Sequence, residues 1–315
     1  MRRPLLALAL LAIAVASCGG SDEGAPTPTP TNHELPPHDE LVDMYAYDTS
    51  EPLETRELAV ESYEGATAHD IEYQSSGYAV PAWLVLPEGK GPFPAVLYAH
   101  GLTLNRSYFL PDAVALAQRG YAGLLIDYPA GREPYAEFTS FDAEADIAGN
   151  VQYVIDLRRG LDLLESLPEI DGERIGYVCH SQGGIVGGIL AGIEGRIDAY
   201  VITSAGGSYA DVVPNINFAG SPPPEDAELS EYQADVAVID PVNYVVHNDD
   251  AAFLFQGSQT DAYFTVANQE AFAEAAGEQV QWYEGGHALG CTTHSYCDAA
   301  LPSFIDHRAW LEENV

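Results

Sequence analysis

The hydrophobic positions of this chain fall into two alternating rhythms. Short apolar runs of strand length recur at 58–63, 69–73, 78–86, 93–99, 121–127, 174–179, 197–203, 253–257 and 280–283. Between them lie stretches with apolar residues at helical spacing, at 108–118 and, most clearly, at 141–167. In the longer stretch Ile147, Val151, Val154, Leu161 and Leu164 fall near one helical face, and Pro168 stops the helix. Strands alternating with helices predict an α/β class, with a mostly parallel central sheet and helices on both faces. No Gly-x-Gly-x-x-Gly or Walker sequence follows the first strand, so the nucleotide-binding variants of that architecture lack their signature.

One segment breaks the rhythm. Between Ala205 and about Ala234 the chain carries Gly206-Gly207, Pro214 and Ser221-Pro222-Pro223-Pro224-Glu225-Asp226. Long loops inside compact domains are usually functional or disordered. A loop-rich excursion at this point of the order lies near the edge where active sites form. Tyr209, Phe218 and Tyr232 either line a pocket there or anchor the loop to the body.

The strand at 174–179 runs into Cys179-His180-Ser181-Gln182-Gly183-Gly184. That order is the grammar of a nucleophile elbow, in which a serine on a sharp strand-to-helix turn projects its hydroxyl above the sheet. The first small position is Cys179 rather than glycine, a looser match that still fits sterically. A serine hydroxyl needs a base to take its proton. Downstream, Asp261 follows the strand at 253–257 and His287 follows the strand at 280–283. Both sit past the C-terminal ends of strands, the edge at which open α/β sheets place their sites. Ser181 is therefore read as nucleophile, His287 as general base and then acid, and Asp261 as the group that orients His287. Asp249 and Asp250 are rivals for the acid, but they precede their strand and belong at the opposite edge. The oxyanion donors expected are the backbone N–H of Gln182 and, after the strand ending at His100-Gly101, that of Leu102, with Thr103 as its neighbouring alternative.

These motifs resemble the α/β-hydrolase superfamily, nearest its dienelactone hydrolase, acetyl xylan esterase and prolyl-oligopeptidase-type branches. The residues that carry the likeness are 92–101, 179–184, 240–244 and 282–287. The resemblance implies serine hydrolase chemistry through an acyl-enzyme, with no metal and no organic cofactor. Ser181 stands where dienelactone hydrolases proper carry cysteine, so that narrow activity is not implied. Only about 50 residues lie ahead of the first strands, too few for a propeller. The expected activity is cleavage of carboxylic esters, on a small molecule or an exposed polymer. A peptidase, a lactone or thioester hydrolase, and a non-catalytic binding lipoprotein are the alternatives.

The first residues speak to location. Arg2-Arg3 precede an apolar run from Leu5 to Val15, followed by Ala16-Ser17-Cys18-Gly19-Gly20. That is a secretory leader, too short to span a bilayer comfortably. Val15-Ala16-Ser17-Cys18 resembles a bacterial lipobox, which implies cleavage before Cys18 and a membrane anchor through lipid on that cysteine. Residues 1–17 read as leader, 18–37 as a Gly/Ser/Thr/Pro-rich tether and 38–315 as the catalytic domain. The expected location is the extracytoplasmic face of a bacterial envelope; plain secretion is the alternative.

Charge narrows the partners. The formal net charge is −36, and Lys90 is the only lysine. Such a field disfavours nucleic acid and anionic polymers and suits neutral esters. In an exported protein, Cys291 and Cys297 suggest a disulfide just past His287. His287, Cys291, His294 and Cys297 also have the look of a zinc cluster, but a metal on His287 would take away the base Ser181 needs. Cys179 reads as a buried thiol.

Overall fold

The computed structural model describes residues 35–129, 141–212, 226–248, 250–291 and 298–315. The chain divides into Met1–Pro30, outside the described residues, and Thr31–Val315, which holds the fold. Along it run α1 (His38–Asp43), β1 (Arg56–Tyr63), β2 (Ala66–Ser75), β3 (Tyr78–Pro87), β4 (Phe93–Ala99), α2 (Leu110–Ala117), β5 (Ala122–Ile126) and α3 (Ala143–Ser166). Then come β6 (Ile170–His180), α4 (Gln182–Ile193), β7 (Ala199–Thr203), α5 (Tyr209–Val212), α6 (Asp226–Val236) and α7 (Val242–Val245). The order ends with β8 (Ala252–Gly257), α8 (Val266–Ala275), β9 (Val280–Trp282) and α9 (Pro302–Asn314).

The strands form one sheet in the order β1-β2-β3-β5-β4-β6-β7-β8-β9. From β5 to β9 every neighbouring pair is parallel, as the strand–helix alternation predicts. The first three strands are antiparallel, because short turns rather than helices join them. The β2–β3 turn is Ser76-Gly77, with φ at 51° and 79°, the left-handed pair that a tight hairpin requires. β1 is exposed along nearly its whole length.

The parallel strands bury both faces, and alternate side chains feed two cores. On β4, Ala95, Leu97 and Ala99 enter one core and Val96 and Tyr98 the other. On β7, Tyr200 and Ile202 take the first face and Ala199 and Val201 the second. The first core is roofed by α3 and α4. Val154, Leu161 and Leu164 are buried in it, and Ile147 and Val151 pack against its rim. The second lies under α2 and α9.

α9 is fastened by a charged cluster. Asp112 of α2, 1% exposed, accepts from Tyr98 Oη at 3.2 Å and His307 Nε2 at 3.0 Å, and from Arg308. Burial raises its carboxyl, but His307 and Arg308 outweigh that and hold it below the usual carboxylate range.

Candidate active site

β6 delivers Ser181 at the sheet's C-terminal edge. The backbone there turns from strand to helix in one residue, and Ser181 takes φ 55° and ψ −115°. A non-glycine residue in so sparsely populated a region costs on the order of 1–3 kcal/mol. The conformation is held from both sides. Ser181 N–H donates to Thr203 O at 2.9 Å, and Ser181 O accepts from Gly184 N at 2.8 Å and Ile185 N at 3.2 Å. The outgoing helix passes so close to β4 that a Cβ on Gly183 would lie 2.1 Å from Ala99 O, which explains the glycine. Cys179 fills the first small position, fully buried, with its Sγ–H donated to Val201 O at 3.2 Å. Burial pushes that thiol far up, so it stays protonated and inert.

Asp261 and His287 are brought together. Asp261 follows β8 in a tight turn where its Oδ1 accepts the N–H groups of Tyr263 at 2.8 Å and Phe264 at 3.0 Å. That leaves Oδ2 for His287 Nδ1, at 2.9 Å. The Asp261 side chain is fully enclosed, while that of His287 keeps 18% exposure. An imidazole that donates from Nδ1 presents its Nε2 lone pair as a base. His287 sits on a single turn of 3₁₀ helix entered through Gly285 and Gly286, both at positive φ. The Tyr263 ring meets it edge-on at 4.7 Å and the Phe264 ring stacks at 5.7 Å.

The residue before the serine ties the two halves. His180 Nε2 donates to the carbonyl of His287 at 2.9 Å, and the two rings lie 4.8 Å apart. His180 is buried, which, with the neighbouring His287, pushes its imidazole down to about 3 and keeps it neutral. The position of His287 is thereby fixed to the elbow itself.

The loop after β4 also abuts the elbow. A Cβ on Gly101 would lie 2.9 Å from both His180 Nδ1 and Ser181 Cβ. His100 Nδ1 donates to Gly101 O at 2.7 Å, and its Nε2 accepts from Tyr128 N at 3.2 Å, which sets that loop's path. Leu102 follows in the turn, packed against the first core, and Thr103 stands at φ 62°. Gln182 opens α4, so its N–H has no carbonyl partner in its own helix.

Other expected positions fare differently. Tyr209 and Tyr232 are buried in the first core, so they anchor the excursion rather than line a pocket. Phe218, Cys18, His294, Cys297 and Asp249 lie outside the described residues. Asp250 is exposed ahead of β8, at the other end of the strand from Asp261. Cys291 is disulfide-bonded. With that sulfur engaged and His287 Nδ1 given to Asp261, two members of the zinc set are committed elsewhere. His180, His100, Tyr263 and Phe264 carried no sequence signal of their roles: each acts through a contact made only in the folded chain.

Comparison with known proteins agrees with this architecture. A family model described as acetyl xylan esterase (AXE1) matches residues 37–205, which include Ser181 but neither Asp261 nor His287. The acetyl xylan esterase from Paenibacillus sp. R4 superposes with a TM-score of 0.68, covering 88% of this chain and 93% of that one at 20% identity. Acetyl xylan esterase 1 from Thermoanaerobacterium sp. JW/SL YS485 gives 0.65, covering 81% and 90% at 18% identity. At these identities the likeness establishes the α/β-hydrolase fold. Among curated proteins, the polyketide transferase ATR5 of Stachybotrys chlorohalonatus is 26% identical over 166 residues, 52% of this chain. That match spans half, 50%, of the relative's length.

Proposed function

Because this chain belongs to the acetyl xylan esterase (AXE1) family, we propose that it is a serine hydrolase cleaving carboxylic esters of short acyl groups through an acyl-Ser181 intermediate. The observation that carries the reading is the His287–Asp261 pair, closed at 2.9 Å and fastened through His180 to the strained elbow.

In the first half-reaction Ser181 Oγ attacks the ester carbonyl carbon as its proton passes to His287 Nε2. Asp261 holds the ring and stabilises the imidazolium. The charge that develops on the carbonyl oxygen meets the N–H groups of Gln182 and Leu102, each worth ~3 kcal/mol to the barrier. Collapse breaks the C–O bond, and the departing alkoxide takes the proton back from His287 to leave as the alcohol. A water molecule then repeats the sequence on acyl-Ser181, giving the free acid and the resting serine.

The substrate side is neutral, since a chain of net charge −36 repels polyanions. An acetylated sugar polymer or a small acetyl ester fits. The lipobox-like run ending at Cys18 supports work on the outer side of a membrane, on a lipid anchor.

A fluorophosphonate probe tests the nucleophile: the wild type is labelled and Ser181→Ala is not. Persistent labelling of that variant refutes the assignment. A panel of p-nitrophenyl esters of rising chain length, run beside anilides, tests the bond. Turnover highest on acetate supports the reading, and faster anilide hydrolysis overturns it in favour of a peptidase.

A further inference from the structure

The oxyanion donor assigned to Gln182 is a backbone group at the first position of a helix, where N–H groups are free of helical bonds and the end frays readily. Here the side chains around it remove that freedom. Gln182 is 2% exposed, and its Nε2 donates to Asn150 Oδ1 at 2.5 Å. Asn150 is completely buried on α3, and its own Nδ2 donates to Asp146 O, one turn back, at 2.7 Å. Both ends of that amide are therefore committed. One residue further on, Tyr177 Oη of β6 donates to Gly183 O at 2.6 Å. With Ser181 N–H on Thr203 O, the peptide plane carrying the Gln182 N–H is gripped before, at and after the turn.

The Gln182–Asn150 contact is out of place in a purely structural role. Gln182 is buried at the start of α4, where a methionine would fill about the same volume without needing a partner. A buried amide pair supplies what an apolar contact does not, a directional link between α4 and α3. α3 is fixed in turn: Tyr232 Oη of α6 donates to Asp146 Oδ2 at 2.5 Å.

We propose that Asn150 is a positioning residue: by holding the Gln182 side chain it sets the direction of the Gln182 N–H toward the carbonyl oxygen of the substrate. The inference rests on the serine-hydrolase reading. It separates two effects of removing Asn150. A residue that orients a transition-state donor lowers kcat and spares KM, whereas one that only packs lowers thermal stability and spares both.

The experiment compares wild type, Asn150→Ala, Gln182→Met and the double variant in p-nitrophenyl acetate hydrolysis, with fluorophosphonate labelling rates and thermal midpoints measured alongside. Gln182→Met keeps the backbone N–H and removes only the side-chain link. A misdirected donor should lower kcat about tenfold to a hundredfold in each single variant, with KM within about twofold. The double variant should lower kcat no further than either single one, because the Gln182–Asn150 link is lost in all three, while the Asn150–Asp146 bond lost with Asn150 registers in the thermal midpoint. Labelling should slow in parallel. Unchanged kcat in the single variants, a loss confined to KM, or additive losses in the double variant overturns the proposal. If Asn150→Ala does not fold, Gln182→Met alone decides by the same split of kcat against KM. A wild type that is neither labelled nor active sinks the hydrolase reading and this inference with it, a result distinct from an active wild type with unaffected variants.

Discussion

Replacing Asp261 with asparagine isolates the tautomer of His287 from everything else in the site. The carboxylate is enclosed and serves three donors: Oδ1 takes Tyr263 N–H and Phe264 N–H, and Oδ2 takes His287 Nδ1. Asparagine has one oxygen and one NH₂. If its oxygen stays with the two backbone N–H groups, its NH₂ faces His287, which must then accept at Nδ1 and carry its proton on Nε2. That ring cannot take the proton of Ser181. The flipped amide would restore the ring but set donors against donors and orphan two N–H groups, at about 1–3 kcal/mol each. The inactive arrangement thus wins by roughly 2–6 kcal/mol. Turnover of p-nitrophenyl acetate near neutral pH should fall by about 10³–10⁴, or ~4–5.5 kcal/mol of barrier. Since every buried group keeps a partner, the thermal midpoint should barely move. Activity within roughly tenfold of wild type, in a folded variant, refutes the argument and moves the acid to another residue.

Four further outcomes follow from the packing. His180→Leu should lower kcat with Ser181 still in place, because the link from the elbow to His287 O is cut; a wild-type kcat with an unchanged pH profile would show that His287 is positioned without it. His180 also gives a pH signature: its pKa is about 3 folded against 6.5 for the free side chain, so below 6.5 the unfolded chain binds a proton the fold refuses. Stability should fall progressively from pH 6.5 toward about 3, and urea midpoints of His180→Gln should fall less over that window. Asp112→Ala leaves His307 and Arg308 buried without their acceptor and should cost ~3–5 kcal/mol in denaturant unfolding; a loss under about 1 kcal/mol contradicts the buried-pair account. Gly183→Ala drives a Cβ to within 2.1 Å of Ala99 O, a backbone atom that cannot step aside, and should cost about 3 kcal/mol or more with loss of turnover.

The chain announces the parts of this site that are written locally. Cys179 to Gly184 carry the turn, and Asp261 and His287 each follow an apolar run of strand length. Their order and their edge of the sheet follow from the strand–helix alternation. Two features escape such a reading because they depend on contacts distant in sequence. His180 meets His287 across 107 positions, and Asn150 meets Gln182 across 32. The tyrosines of the excursion leave two outcomes open in the sequence, lining a pocket or anchoring the loop, and Tyr209 and Tyr232 take the second. Both are core, since α6 packs on α3 and α5 packs on α6. The helix expected at 108–118 begins instead as a 3₁₀ turn, Arg106–Phe109, because Pro111 favours a helix's first turn and α2 starts beside it.

The bare outer strand has a colloidal consequence. Among the described residues β1 borders β2 alone, and its Leu58 and Val60 are 44% and 49% exposed. A free row of peptide groups beside greasy side chains is a template onto which another molecule can zip. Glu57 and Glu61 flank those two residues, and the whole body repels its copies. Dispersal then depends on ionisation, so acid titration of the carboxylates removes the guard while leaving the adhesive seam intact.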